Sequence, residues 1–146
     1  MNYMDEFLKI FFNVKRRRKK KKVASSATRR GGGKKNANYL KYKDVALSLA
    51  KSRLEYFNVI YNFKYNKVVI RNQKTRWGSC SKKGNLNFNY KIALLPPKTA
   101  DYIIIHELCH IGEFNHSKNF WDLVAKTMPD YKEVRGSLRK KGQIEA

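Results

Sequence analysis

Cysteine, proline and acidic side chains are all scarce in this 146-residue chain. Its two cysteines, Cys80 and Cys109, cannot build a disulfide framework, so the expected compartment is the reducing cytoplasm. The chain has no apolar run of about 18 residues or more, which excludes a bilayer-spanning helix. The short apolar stretch near the N-terminus precedes its basic cluster instead of following it, which is the wrong order for a secretory signal. The three prolines fall at 96, 97 and 129, where they punctuate elements and do not interrupt them. Hydrophobic residues nevertheless make up 42% and aromatics 13%, so global disorder is excluded and one compact domain fits the length.

Acidic residues number 11 against 33 lysines and arginines, a formal charge of +22. The excess is uneven. Residues 1–38 carry 13 basic and two acidic side chains, net +11, and residues 39–146 carry the other +11. An unbroken octet, Lys15 to Lys22, and a glycine-rich stretch through Lys35 have no apolar periodicity. Residues 1–38 therefore read as a flexible basic arm and 39–146 as the folded domain. Residues 15–35 suit non-specific binding to nucleic acid by counterion release. Met4, Phe7, Leu8, Phe11 and Phe12 stand at helical spacing beside them, a pattern that also fits an anionic membrane surface.

Within the domain, Leu40, Leu47, Ala50, Leu54 and Phe57 predict an amphipathic helix over 39–57. Residues 58–66 read as turns and Val68–Ile70 as a strand. Leu86, Phe88, Tyr90 and Ile92 alternate with polar residues, predicting a strand over 86–92, joined to 74–80 in a hairpin through Gly84-Asn85. Pro96-Pro97 opens a helix from about Lys98 to Glu113. A second follows Ser117 as N-cap to about Thr127, and a third covers 130–141. This order predicts an α+β fold: a small antiparallel sheet packed on a helix, with further C-terminal helices.

All three histidines, His106, His110 and His116, lie within eleven residues. On a helix, His106 and His110 sit one turn apart on one face, while Ile104, Leu108 and Ile111 point the other way. Two imidazoles at that spacing suit one tetrahedral zinc, and Glu107, adjacent but off their axis, suits a general base for an attacking water. His116 completes the tripod, with Gly112 letting the chain turn back; Glu113 is its rival as third ligand. Cys109 or Cys80 as a fourth ligand would instead close the site and make it structural.

Thr75-Arg76-Trp77-Gly78-Ser79-Cys80, Gly84-Asn85-Leu86-Asn87-Phe88-Asn89, His106-Glu107-Leu108-Cys109-His110 and Asn115-His116-Ser117 with Phe120-Trp121 resemble the YgjP-like zinc metallopeptidases, minimal zincins related to the SprT and WLM groups. The resemblance spans about Tyr39 to Arg139. It implies a zincin-like fold in which His106, His110 and His116 hold one Zn2+, Glu107 is the base, and a polypeptide is the substrate. The 86–92 strand is then either the edge on which a peptide pairs or an interior strand. Arg76 and Trp77 either line the cleft or seal the hairpin. Tyr131 and Arg135 are candidate donors to transition-state charge, and Phe120, Trp121 and Val124 read as core. Two rival functions remain: a nucleic-acid-associated protein tethered by its tail, and a structural zinc module for protein interaction.

Overall fold

The computed structural model describes residues 33–140. The basic octet and the apolar stripe before it lie outside the described residues.

Helix α1 (Gly33–Tyr61) starts six residues before the predicted position and ends four after it. Its buried face is Ala46, Leu49, Ala50, Arg53, Leu54 and Phe57, a clean three–four repeat. Leu40, which the periodicity assigned to that face, is exposed. The helix stops at Asn62, whose left-handed backbone (φ 53°) breaks it. The Asn58 side chain fixes the exit, exchanging hydrogen bonds with Phe63 N and O, each 2.8 Å.

Three strands follow, β1 (Lys67–Arg71), β2 (Gly78–Cys80) and β3 (Asn85–Asn89), in spatial order β1-β3-β2. The hairpin forms where expected, with β2 antiparallel to β3 and Gly84 in the left-handed region (φ 76°) at the turn. The sheet is mixed, not antiparallel, because β1 runs parallel to β3. The 86–92 strand is shorter than predicted. At Asn89 the chain leaves the sheet into a 3-10 turn, Tyr90–Leu94. The cause is the Asn89 side chain: it caps that turn by accepting from Lys91 N (3.1 Å), and its amide donates to the Gln73 and Arg76 carbonyls. Leu86, Phe88, Tyr90 and Ile92 are all buried as the alternation implied, but so is Asn89.

Helix α2 (Pro97–Gly112) runs through the centre, with every residue from Ala100 to Cys109 buried. It packs against α1, β2, α3 (Lys118–Thr127) and α4 (Tyr131–Lys140). Ser117 caps α3 as predicted, its hydroxyl accepting from Phe120 N. Near the start of α2, Asp101 forms a buried two-pronged ion pair with Arg53 of α1, at 2.8 and 2.9 Å. No helix among the described residues is long and apolar enough to cross a membrane.

Candidate metal centre

The C-terminal half of α2 supplies two of the three histidines. Helical geometry brings the His106 and His110 Nε2 atoms to 3.2 Å. After α2 the chain turns through residues 113–117 and returns His116, whose Nε2 lies 3.1 Å from His106 Nε2. These three are the one cluster of its kind among the described residues that could hold a metal ion. The rival Glu113 caps α2, and its side chain is not part of the cluster. Its backbone carbonyl takes part instead, accepting from His110 Nδ1–H at 3.0 Å. A carbonyl can only accept, so that bond puts the His110 proton on Nδ1 and points the Nε2 lone pair inward.

The electrostatics favour neutral imidazoles, the form that binds metal. Burial and the neighbouring histidines hold His106 down at about 3. Burial also lowers His110 and His116. The donor set fits a tetrahedral ion: metal–nitrogen bonds of about 2.0–2.1 Å place ligand nitrogens about 3.3 Å apart. The observed 3.1 and 3.2 Å are close to that.

Glu107 is buried beside the cluster, and burial pushes its carboxyl up to about 8, with the Arg76 charge pulling the other way. Its carboxylate takes no hydrogen bond from the described residues. Strand β2 passes directly against it: a Cβ on Gly78 would lie 2.7 Å from Glu107 Cγ and 2.8 Å from Oε1. Gly78 is therefore required by close approach. Gly112 is similar, since a Cβ there would meet Phe63 at 2.7 Å; its backbone is not left-handed, so it contributes tight packing and no special turn.

Neither cysteine belongs to the cluster. Cys109 is buried, and the Cys80 thiol is pushed up to about 11 by burial and by Glu107, away from the thiolate that ligates metal. Trp77 is buried in the core, whereas Arg76 is exposed. The central strand of the sheet is β3, so it is not an edge; the strand beside the histidines with an unpaired side is β2.

Sequence reasoning missed the role of Phe120 and Trp121. They read as core, and Phe120 is fully buried, but their rings face the histidines. Phe120 stacks on His110 (centroids 4.5 Å, 26°) and Trp121 on His116 (5.7 Å, 22°). Tyr131 in turn stacks on Trp121 (5.0 Å, 10°), and the Arg135 guanidinium lies 4.7 Å from the Trp121 ring centre. The available signal was position, since both aromatics follow the third histidine by four and five residues.

A central helix bearing two histidines and a glutamate, with a third histidine returned by the following loop, is the layout of a zincin-like metal-dependent peptidase. The model of the YgjP-like metallopeptidase domain matches residues 9–141, and the chain belongs to that family. The match begins well before Tyr39, where the resemblance read from motifs began. Among solved structures, the chain is similar to the metallopeptidase zymogen abylysin of Pyrococcus abyssi, at 27% identity and a TM-score of 0.60, covering 66% of this chain and 99% of that one. It shares its fold with the metallopeptidase zymogen jannalysin of Methanocaldococcus jannaschii, at 22% identity and a TM-score of 0.55, covering 63% and 95% respectively. No curated protein matches the chain significantly. The protein is thus a metallopeptidase of zincin-like α+β fold.

Proposed function

We propose that this metallopeptidase is a zinc enzyme in which His106, His110 and His116 are the ligands and Glu107 is the general base. The observation carrying this reading is the convergence of three Nε2 atoms from a helix and a loop, with a buried carboxylate alongside. A zinc ion held by these three histidines would supply Lewis acidity and make a bound water easier to deprotonate. Glu107 takes the proton of the attacking water and delivers it to the leaving amine. It must be ionised to do so; burial favours the neutral acid, and the positive charges of Arg76 and of a cation held by the histidines would both favour the carboxylate. The substrate is an extended polypeptide lying along the free side of β2, where main-chain hydrogen bonds would set the scissile carbonyl beside Glu107. Two unpaired thiols, Cys80 and Cys109, agree with a cytoplasmic site of action.

Glu107→Gln keeps the shape of the side chain and removes the base. The purified variant is expected to retain one equivalent of zinc while hydrolysis of a denatured test protein falls by about 10²- to 10⁴-fold. Unchanged turnover would reject Glu107 as base. A wild-type protein that takes up no zinc would reject the ligand assignment.

A further inference from the structure

We infer that Trp121 is the positioning residue of the metal centre: its indole holds the loop-borne His116 in place and ties it to α4 through Tyr131 and Arg135. The inference rests on the three-histidine reading above. His106 and His110 share one helix and each has a polar contact at Nδ1: the Tyr102 hydroxyl lies 3.5 Å from that atom of His106, and the Glu113 carbonyl accepts from that of His110. His116 differs. It is exposed, it sits between α2 and α3 outside any regular element, and no hydrogen bond from the described residues reaches its Nδ1. A metal-binding histidine ordinarily has its second nitrogen anchored. Here two aromatics flank the ring: Phe120, which stacks on His110, meets it edge-on at 4.9 Å, and Trp121 alone of the two lies near-parallel to it and sets its plane.

Trp121 is itself anchored from α4. Tyr131 and Arg135 stand one turn apart on the same face of that helix, one stacked on the indole and the other placing its guanidinium over it. The contacts run in sequence from α4 to Trp121 to His116. Docking of α4 and metal binding are therefore linked: whatever loosens one weakens the other.

The test measures zinc affinity of the full chain by competition with a chelator of known affinity, in wild type and in Trp121→Leu, Trp121→Phe and Arg135→Met. Trp121→Leu is expected to weaken zinc binding about 10- to 100-fold, the range for loss of a supporting contact to a ligand. Trp121→Phe, which keeps a stacking face, should stay within about threefold, and Arg135→Met should fall between them. The same changes are then made with His116→Ala present, where they should have no further effect. A tryptophan that merely stabilised the fold would weaken zinc equally in both backgrounds, and that result overturns the inference. So does undiminished affinity in Trp121→Leu. If Trp121→Leu does not fold, Tyr131→Leu, which removes the ring stacked on the indole without changing charge, is measured in the same two backgrounds and carries the decision. Failure of the wild type to bind zinc would sink the metal reading and this inference together; a tight-binding wild type with an indifferent Trp121 sinks the inference alone.

Discussion

The two halves of helix α2 bury polar side chains in opposite ways. Near its start, Asp101 is matched by Arg53 in a two-pronged pair, so the buried charge of each is answered by the other. In its second half, Glu107 is equally buried without a hydrogen-bond partner among the described residues, and three imidazole nitrogens face one another. The first arrangement joins α1 to α2. The second leaves the Glu107 carboxylate without a hydrogen bond among the described residues and, on the function proposed above, is arranged for a cation and a water. Within one helix, the satisfied buried carboxylate joins two elements, and the unsatisfied one is the group to which the proposed chemistry falls.

Removing one partner of the satisfied pair should be the most damaging change. Arg53→Ala takes the two-pronged guanidinium away from the buried Asp101 carboxylate, with an expected loss of about 3–5 kcal/mol in urea unfolding. Replacing both partners with apolar residues (Arg53→Met with Asp101→Leu) should recover most of it. Equal damage in the single and double variants would mean that the pair is not self-contained.

The unsatisfied end should respond in the opposite direction. The folded-state pKa of Glu107, about 8, lies above its ordinary value of 4.5. In the metal-free protein the native state keeps a proton that the unfolded chain has lost between those values. Stability is therefore full below about pH 4.5 and declines as the pH rises through 8. Glu107→Gln removes that decline, so the chelated variant should exceed chelated wild type by about 2–4 kcal/mol at pH 8.5 and by little at pH 5. A gap that does not widen with pH would show that Glu107 is not desolvated.

A smaller effect tests how β2 serves the same end. Gly78→Ala sets a methyl against Glu107 and should cut peptidase activity about tenfold, roughly 1.4 kcal/mol, by displacing the carboxylate. Zinc content should not change. Loss of zinc with activity would mean that the strand supports the histidines and not the glutamate.

Much of this was legible beforehand because it depends on local spacing. His106 and His110 lie on one helix face whatever surrounds them, and Ser117 caps α3 by a contact three residues long. The turn at Gly84 needs only its own backbone freedom. What escaped notice were residues whose partners are far away or whose polarity misleads. Asn89 looked like a solvent-facing position in an alternating strand, yet it is fully buried and holds the chain at Gln73 and Arg76. Arg53 lies on the apolar face of α1, where hydrophobic patterning alone leaves no place for a charge; it pairs with Asp101, 48 residues on, and its guanidinium lies over the Tyr56 and Phe57 rings. Leu40 fits the helical period but extends past the end of the core.

Local residue spacing was enough to give the central helix with its paired imidazoles and adjacent carboxylate, the hairpin and the order of elements, because helix and turn geometry act over a few residues. Contacts between distant segments are what lay β1 parallel to β3, set β2 against Glu107, bring His116 and not Glu113 into the cluster, and turn two aromatics of α3 toward the histidines. Each of these depends on how separate segments meet, and that is settled by packing around a shared interior, where no residue's neighbours along the chain name its neighbours in space.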